Sequence, residues 1–447
     1  MVKTSLGIDF GTSGSRAIVL NAQGTIVAES RVKFTAAETN DPQAWKAALD
    51  TLLNEIPVSL RSTLERIAIN GTSGTVLLCD DCGEPVTQPL LYNDDRGQSV
   101  QAQLQQLAPP HHLVHSSTSS LAKLLWWRSQ HLWTGETPPV GWHLLHQADW
   151  LAAQWHGQRG VSDYHNALKL GYDVERLAYP PWLTQSSLAS LLPPVLEPGQ
   201  TIAPVSSDLA QRWNLPAHCE VCAGTTDSIA AFLASGLHQS GYAVTSLGST
   251  LVLKLLSDRP VNDLALGIYS HRLGDRWLVG GASNTGGAVL SHFFSASELQ
   301  TLSAAIDPSR PTALNYYPLL KPGERFPLND PHLPPCLEPR PSSPVAFLQG
   351  LLEGMARIEA QGYQCLSDRG ANPVSQVYTA GGGAENAPWT QIRSHYLGVP
   401  VQASAQGEAA YGTALLAQTG LAGFKETHFA TGDRYWSSSS SKTSVPP

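Results

Sequence analysis

Two stretches of this 447-residue chain repeat one pattern: an apolar strand, a turn of glycine and hydroxyl residues, and a second apolar strand. The first is Leu6-Gly7-Ile8-Asp9-Phe10-Gly11-Thr12-Ser13-Gly14-Ser15-Arg16, running into Ala17-Ile18-Val19-Leu20. The second is Ala243-Val244-Thr245-Ser246-Leu247-Gly248-Ser249-Thr250-Leu251-Val252-Leu253. Asn21-Ala22-Gln23-Gly24 adds a turn signal ahead of Thr25-Ile26-Val27-Ala28, so the chain is expected to open as a meander. A glycine-rich turn lets successive backbone N–H groups converge into a nest for phosphate oxygens. The Thr12, Ser13 and Ser15 hydroxyls add donors, and Asp9 at the strand end could hold Mg²⁺ directly or through a water. A P-loop is excluded: G-x-x-x-x-G-K-[ST] occurs nowhere, and these glycines lead into a strand rather than a helix. A plain hairpin with a surface Asp uses the same residue types, so the stretch alone leaves both readings open.

A related unit, Val221-Cys222-Ala223-Gly224-Thr225-Thr226-Asp227-Ser228, leads into a helix ending near Gly236. Asp227 sits at a strand-to-helix junction, where the helix N-terminus stabilises a carboxylate; a simple cap is the alternative. Such units in both halves predict a duplicated fold with two jaws on one nucleotide. The length also asks for two domains. Apolar residues at 42% support sizeable cores. Charged residues at 14%, a net charge of −8 and no Lys/Arg cluster argue against a nucleic-acid partner. No apolar stretch reaches the ~18 to 20 residues of a membrane helix, so no membrane partner is expected. Met1-Val2-Lys3 enters a strand with no cleavable signal pattern. A soluble protein of the cytoplasm, or of a plastid-stroma-like compartment, is expected. Six cysteines include the C-x-x-C pairs Cys79/Cys82 and Cys219/Cys222. The first reads as a hairpin turn and the second as a buried strand, which favours ordinary reduced thiols over a zinc site.

Between these units, Asp41 and Pro42 start a helix expected to run to Leu60. Ile67-Ala68-Ile69-Asn70 reads as a buried strand entering the small turn Gly71-Thr72-Ser73-Gly74-Thr75, and Val76 to Cys79 as another strand. Leu91-Tyr92-Asn93-Asp94-Asp95-Arg96 groups an amide, acids and a base suited to polyol hydroxyls; a solvated helix start with Asp caps is the other reading. Leu121 to Arg128 reads as an aromatic helix in which Lys123 is expected to snorkel to solvent. Gly280 to Gly287 predicts a glycine-rich turn before a helix, and Leu314 to Pro344 a long irregular excursion. Val377 to Asn386 reads as strand, triple glycine, helix. Those glycines let a flat ring lie against backbone, with Asn386 and Trp389 lining the slot. Glu408 to Ala414 starts a small-residue helix, and the Ser-rich stretch from about Thr431 is expected to be disordered.

In this order the motifs resemble the FGGY carbohydrate kinases of the actin/hexokinase/Hsp70 superfamily. Asp9-Phe10-Gly11-Thr12-Ser13 is similar to that family's first phosphate motif, and Lys123-Leu124-Leu125-Trp126 to its lysine-tryptophan signature. Tyr92 to Arg96 resembles its substrate-side segment, with Tyr92 where tryptophan is usual. Gly323-Glu324-Arg325-Phe326-Pro327 and Gly381-Gly382-Gly383 resemble its Gly-Glu-Arg-x-Pro element and adenosine loop. The resemblance implies an α/β fold of two actin-like (ribonuclease H-like) domains with a cleft between them, at residues 1–236 and 237–427, with a tail at 428–447. It also implies ATP and Mg²⁺, Asp227 as catalytic base and Asp9 as a second catalytic residue that holds Mg²⁺ directly or through a water. Asp9, Ser13, Gly14, Ser73, Asp94, Arg96 and Asp227 then face the sugar. Gly11, Thr12, Ser13, Gly248, Ser249, Thr250, Gly382, Gly383, Asn386 and Trp389 face the nucleotide.

Tyr92-Asn93-Asp94 and the stretch Ser162 to Asp173 look most like the D-ribulose kinases of cyanobacteria and plants. That resemblance implies D-ribulose as acceptor and D-ribulose 5-phosphate as product, with D-xylulose or another polyol as the alternative. A non-catalytic sugar or nucleotide sensor and an actin- or Hsp70-like ATPase are the readings from other classes. Oligomeric state is left open.

Overall fold

The computed structural model describes residues 3–425, so the tail expected at 428–447 lies outside the described residues. The first strands are β1 (Thr4–Phe10), β2 (Gly14–Asn21) and β3 (Ile26–Lys33), an antiparallel meander. Asn21 makes the second turn by accepting from Gln23 N and Thr25 N at 3.0 and 2.9 Å. β4 (Leu64–Gly71) lies parallel to β1. β5 (Val76–Cys79) pairs with β6 (His143–His146), and β7 (Ser162–Asp163) with β8 (Val195–Leu196). β9 (Thr201–Pro204), β10 (Glu220–Cys222) and β11 (Thr225–Thr226) complete the first sheet, ordered β3-β2-β1-β4-β10-β9 with β11 on β4.

The second sheet holds β12 (Tyr242–Leu247), β13 (Leu251–Ser257), β14 (Tyr269–Leu273), β15 (Arg276–Ser283), β16 (Gln376–Ala380) and β17 (Val401–Ala403), in the order β14-β15-β13-β12-β16-β17. Its β12–β13 hairpin beside parallel β16 repeats the β1–β2 hairpin beside parallel β4. The two glycine-hydroxyl turns therefore sit at equivalent ends of two similar sheets. This is the duplicated α/β architecture expected of an actin-like chain.

The sheets are not independent. The last helix, Ala409–Thr419, lies on β1, β2 and β4 of the first sheet and against the helix Asp227–Ala234. Only glycine permits this approach: a Cβ on Gly7 would lie 2.1 Å from Ala414 N, and one on Gly412 1.9 Å from Ala230 O. The stretch proposed as the second domain, 237–427, thus contributes its final helix to the first sheet. Conversely, Tyr164, Leu168, Ile229 and Phe232 join the hydrophobic core of the second sheet.

Other expectations are corrected by local chemistry. The helix capped by Asp41 spans Pro42–Glu55 and stops short of Leu60, because Pro57 removes an N–H and crowds the preceding turn; a short helix restarts at Val58–Arg61. Gly280 and Gly281 lie inside β15 rather than in a turn, and Gly281 makes room for the Phe326 ring, 2.6 Å from where a Cβ would stand. The excursion before the helix Pro344–Asp368 is anchored by buried Glu324, which accepts from Ser283 Oγ at 2.5 Å and Asn284 N at 2.8 Å. Behind β12 and β16, Glu359 and Arg393 form a buried pair at 2.6 Å, and Thr245 donates to the same carboxylate at 2.5 Å.

Candidate active site

Parallel pairing aligns the ends of three strands. Asp9 of β1 stands opposite Asn70 of β4, and Asn70 opposite Thr225 of β11, two residues before Asp227, the first residue of the next helix. Ligands of α/β sheets bind at such carboxyl ends. Asp9 Oδ1 is buried with no hydrogen-bond partner. Its carboxyl is pushed up to about 7, first by burial and then by the charge of Asp227, against a hydrogen bond from Asn70. Asp227 is also raised, by burial; the Ser228 amide, Lys254, Lys169 and the Ser73 amide pull it back. Its Oδ1 accepts from Ser228 N at 2.7 Å. Asp227 is the first helical residue and Thr226 holds the cap position, so the carboxylate does not act as the cap.

Thr12 and Ser13 are exposed at the β1–β2 tip, which is closed by Gly11 N donating to Gly14 O at 3.0 Å. Gly14 has φ +153°, and a Cβ there would stand 2.2 Å from Val32 O, so glycine is required. Ser73, half-buried, occupies the turn after β4, and its carbonyl accepts from Lys169 Nζ at 3.4 Å.

Lys123 corrects the snorkelling expectation: it is fully buried and donates to Gly74 O at 2.7 Å and Leu91 O at 2.6 Å. It thereby ties the Ser73 turn to the Asp94 segment. Burial pulls its ammonium down to about 7, and neighbouring Lys169 acts the same way. Asp94 and Arg96 pair with each other at 2.7 Å, and the Arg96 guanidinium lies 4.7 Å from the centre of the Trp126 ring.

On the second sheet, Gly248 and Ser249 are exposed at the β12–β13 tip, with Thr250 half-buried beside them. Their carbonyls are clamped by the start of the helix Gly287–Phe293: Gly287 N donates to Gly248 O at 2.8 Å and Ala288 N to Ser249 O at 3.1 Å. Gly382 faces open space after β16, while Gly383 packs on Leu247 and Trp389. Trp389 is 3% exposed and braces this loop from the core. Asn386 caps the helix Ala387–Leu397, accepting from Trp389 N at 3.0 Å and donating to Ser303 Oγ at 2.9 Å. Both residues expected to line a slot therefore have their polar or apolar contacts inside the fold. Trp389 Nε1 is the exception, buried without a partner.

Sequence reasoning missed Lys254 and Lys169, which act on Asp227, and the pairing of His165 and His271 beside Lys254. The available signal was Lys254 itself, one charge in the apolar run Leu251 to Leu256. His165 bridges Thr225 Oγ1 at 2.7 Å and Arg272 O at 2.6 Å, and burial pulls it down to about 4. Among the described residues, no group of three or more His, Cys, Asp or Glu could by itself hold a metal ion, and all six cysteines are free. No helix there is long and apolar enough to cross a membrane. A groove of about 530 Å³ lined by Phe293, Phe347 and Arg340 contains none of these site residues.

Comparison with known proteins gives a consistent picture. The N-terminal domain model of the FGGY family of carbohydrate kinases matches residues 4–234, and the C-terminal domain model residues 243–421. The xylulose kinase of Escherichia coli (strain K12) is 24% identical, over 92% of this chain and 89% of its own. A gluconokinase of Bacillus subtilis (strain 168) is 22% identical, over 88% and 83%. The crystal structure of a xyloylose kinase from Brucella ovis superposes with a TM-score of 0.81 at 21% identity, covering 94% of this chain and 92% of that one.

Proposed function

This chain belongs to the FGGY family of carbohydrate kinases, and from that premise we propose that it transfers the γ-phosphoryl group of ATP to D-ribulose, giving D-ribulose 5-phosphate. The observation that carries the chemistry is the pair of half-buried carboxylates, Asp9 and Asp227, both raised above the usual carboxylate range, at the aligned ends of β1 and β11. Asp227 serves as general base. The acceptor hydroxyl oxygen bonds to the γ-phosphorus, the bond from that phosphorus to the bridging oxygen breaks, ADP leaves, and the hydroxyl proton passes to Asp227. Burial raises the Asp227 carboxyl and so strengthens it as a proton acceptor.

Ser73, Asp94 and Arg96 orient the sugar, on a wall stitched together by Lys123. The tips at Gly11 to Gly14 and Gly248 to Thr250 direct backbone amides and hydroxyls at the phosphates, which explains how a chain without a basic cluster holds a polyanion. Gly382 and Gly383 receive the adenosine, with Asn386 and Trp389 bracing their loop. The Oδ1 of Asp9, a hard oxygen with no hydrogen-bond partner, fits Mg²⁺ carried in on nucleotide phosphates, as such ions use one or two carboxylates. An ion held by Asp9 would supply charge neutralisation at the phosphoryl oxygens.

Support for D-ribulose comes from Tyr92-Asn93-Asp94 and the stretch Ser162 to Asp173. The relatives named xylulose kinase make D-xylulose the second reading. A coupled ADP-release assay with D-ribulose, D-xylulose, gluconate, glycerol and a no-sugar blank separates them. The reading predicts the highest kcat/KM with D-ribulose; a higher value with any other acceptor replaces D-ribulose, and no response above the blank removes the kinase function.

A further inference from the structure

Lys254 comes from the second sheet but ends beside the acid of the first. It alternates along β13 with the core residues Leu253 and Leu255, so its side chain leaves the sheet on the opposite face. Its strand neighbours are Val244 on β12 and Gly280 on β15; Gly280 adds no side chain beside it. The ammonium crosses to the first turn of the helix Asp227–Ala234 and donates to the Ser228 carbonyl. Ser228 is the residue whose amide holds Asp227 Oδ1 at 2.7 Å. One side chain from the second sheet thus grips the peptide segment that orients the carboxylate, while placing a positive charge next to it.

The other groups facing Asp227 are Asp9 from β1 and Lys169, with neutral His165 and His271 nearby. Burial pulls the Lys254 ammonium down to about 8 and Asp227 holds it up. The main chemistry of the cleft uses neither Lys254 nor any other cation from the second sheet on Asp227.

We propose that Lys254 is a positioning residue for Asp227: it locks the orientation of the base and supplies a countercharge to it from the second sheet. This rests on the kinase reading above.

A double-mutant cycle tests it. Lys254→Met should lower acceptor-dependent kcat about tenfold or more, with KM for ATP changed less than about twofold. In an Asp227→Asn background the same change should cost less than about twofold, since a residue acting through the base has nothing left to act on. Lys254→Arg, which keeps charge and donors, should recover most of the rate. Lys254→Gln keeps a donor for Ser228 O without the charge: loss in this variant assigns the effect to the charge, retention assigns it to the tether, and either supports positioning. Gln also carries the cycle if the Met variant does not fold. An unchanged kcat in Lys254→Met, or an equal fall in both backgrounds, overturns the inference. Wild-type protein with no acceptor-dependent turnover instead removes the kinase reading beneath it, an outcome visible before any variant is made.

Discussion

Replacing Asp9 by Asn should destroy transfer yet stabilise the fold, and the gain should grow with pH. Asp9 titrates from 3.8 when unfolded to about 7 when folded, through burial and the nearby Asp227 charge. An acid raised in this way stabilises the folded state while protonated, and that contribution is lost as pH rises from near 4 through 7. The full shift corresponds to ~4 kcal/mol at pH above 7. Solvent access and relaxation around a site at a cleft reduce this, so we expect Asp9→Asn to gain ~1–2 kcal/mol on wild type between about pH 5 and about pH 8. The new amide can also donate to Asn70 Oδ1, which is buried without a partner. Urea unfolding in buffer with chelator reads the difference directly, and adding Mg²⁺ with nucleotide should recover stability in wild type but not in the variant. A variant less stable than wild type at about pH 8, or a difference independent of pH, would refute the unpaired-carboxylate account.

Three further perturbations follow from named contacts. Lys123→Met leaves the Gly74 and Leu91 carbonyls without their donor, so unfolding free energy should fall by ~2–4 kcal/mol. Acceptor kcat/KM should fall roughly tenfold to a hundredfold as the Ser73 and Asp94 wall loosens, with ATP affinity retained, which calorimetry can check. Arg393→Met strands the buried Glu359 carboxylate and should cost ~3–5 kcal/mol in denaturant unfolding, whereas an exposed pair such as Arg212–Asp50 should matter by less than ~1 kcal/mol. Gly7→Ala pushes a methyl into the backbone of the last helix; a loss of ~3 kcal/mol or more by thermal unfolding is expected, and a neutral outcome would contradict the close packing.

What could be read in the chain was what local chemistry dictates. Alternating apolar residues and the Asn21 turn specify the opening meander, and Asp41 with Pro42 specifies a helix start. The glycine-hydroxyl turns at Asp9 and Gly248 and the strand-to-helix junction at Asp227 could be placed because glycine needs and strand ends are local. The rest depends on partners distant in sequence. A lysine among apolar residues looks like a snorkelling surface group, and only the meeting of Gly74 and Leu91 provides the carbonyls that bury Lys123. The same holds for Lys254, whose target, Ser228, lies on the other sheet. The small residues of Ala409–Thr419 announced close packing but not against which sheet; Gly7, some 400 residues earlier, supplies the matching gap. Trp389 read as a slot wall because a tryptophan beside three glycines invites stacking, whereas the apolar second core claims its ring.

The central claim is that Asp227 is the base in an ATP-dependent transfer to sugar. The most direct measurement is acceptor-dependent ADP release by Asp227→Asn alongside calorimetric ATP binding by the same protein. The account predicts a rate ~10² to 10⁴ lower with nucleotide affinity intact. Sugar-dependent turnover within about threefold of wild type would contradict it and pass the role of base to another group.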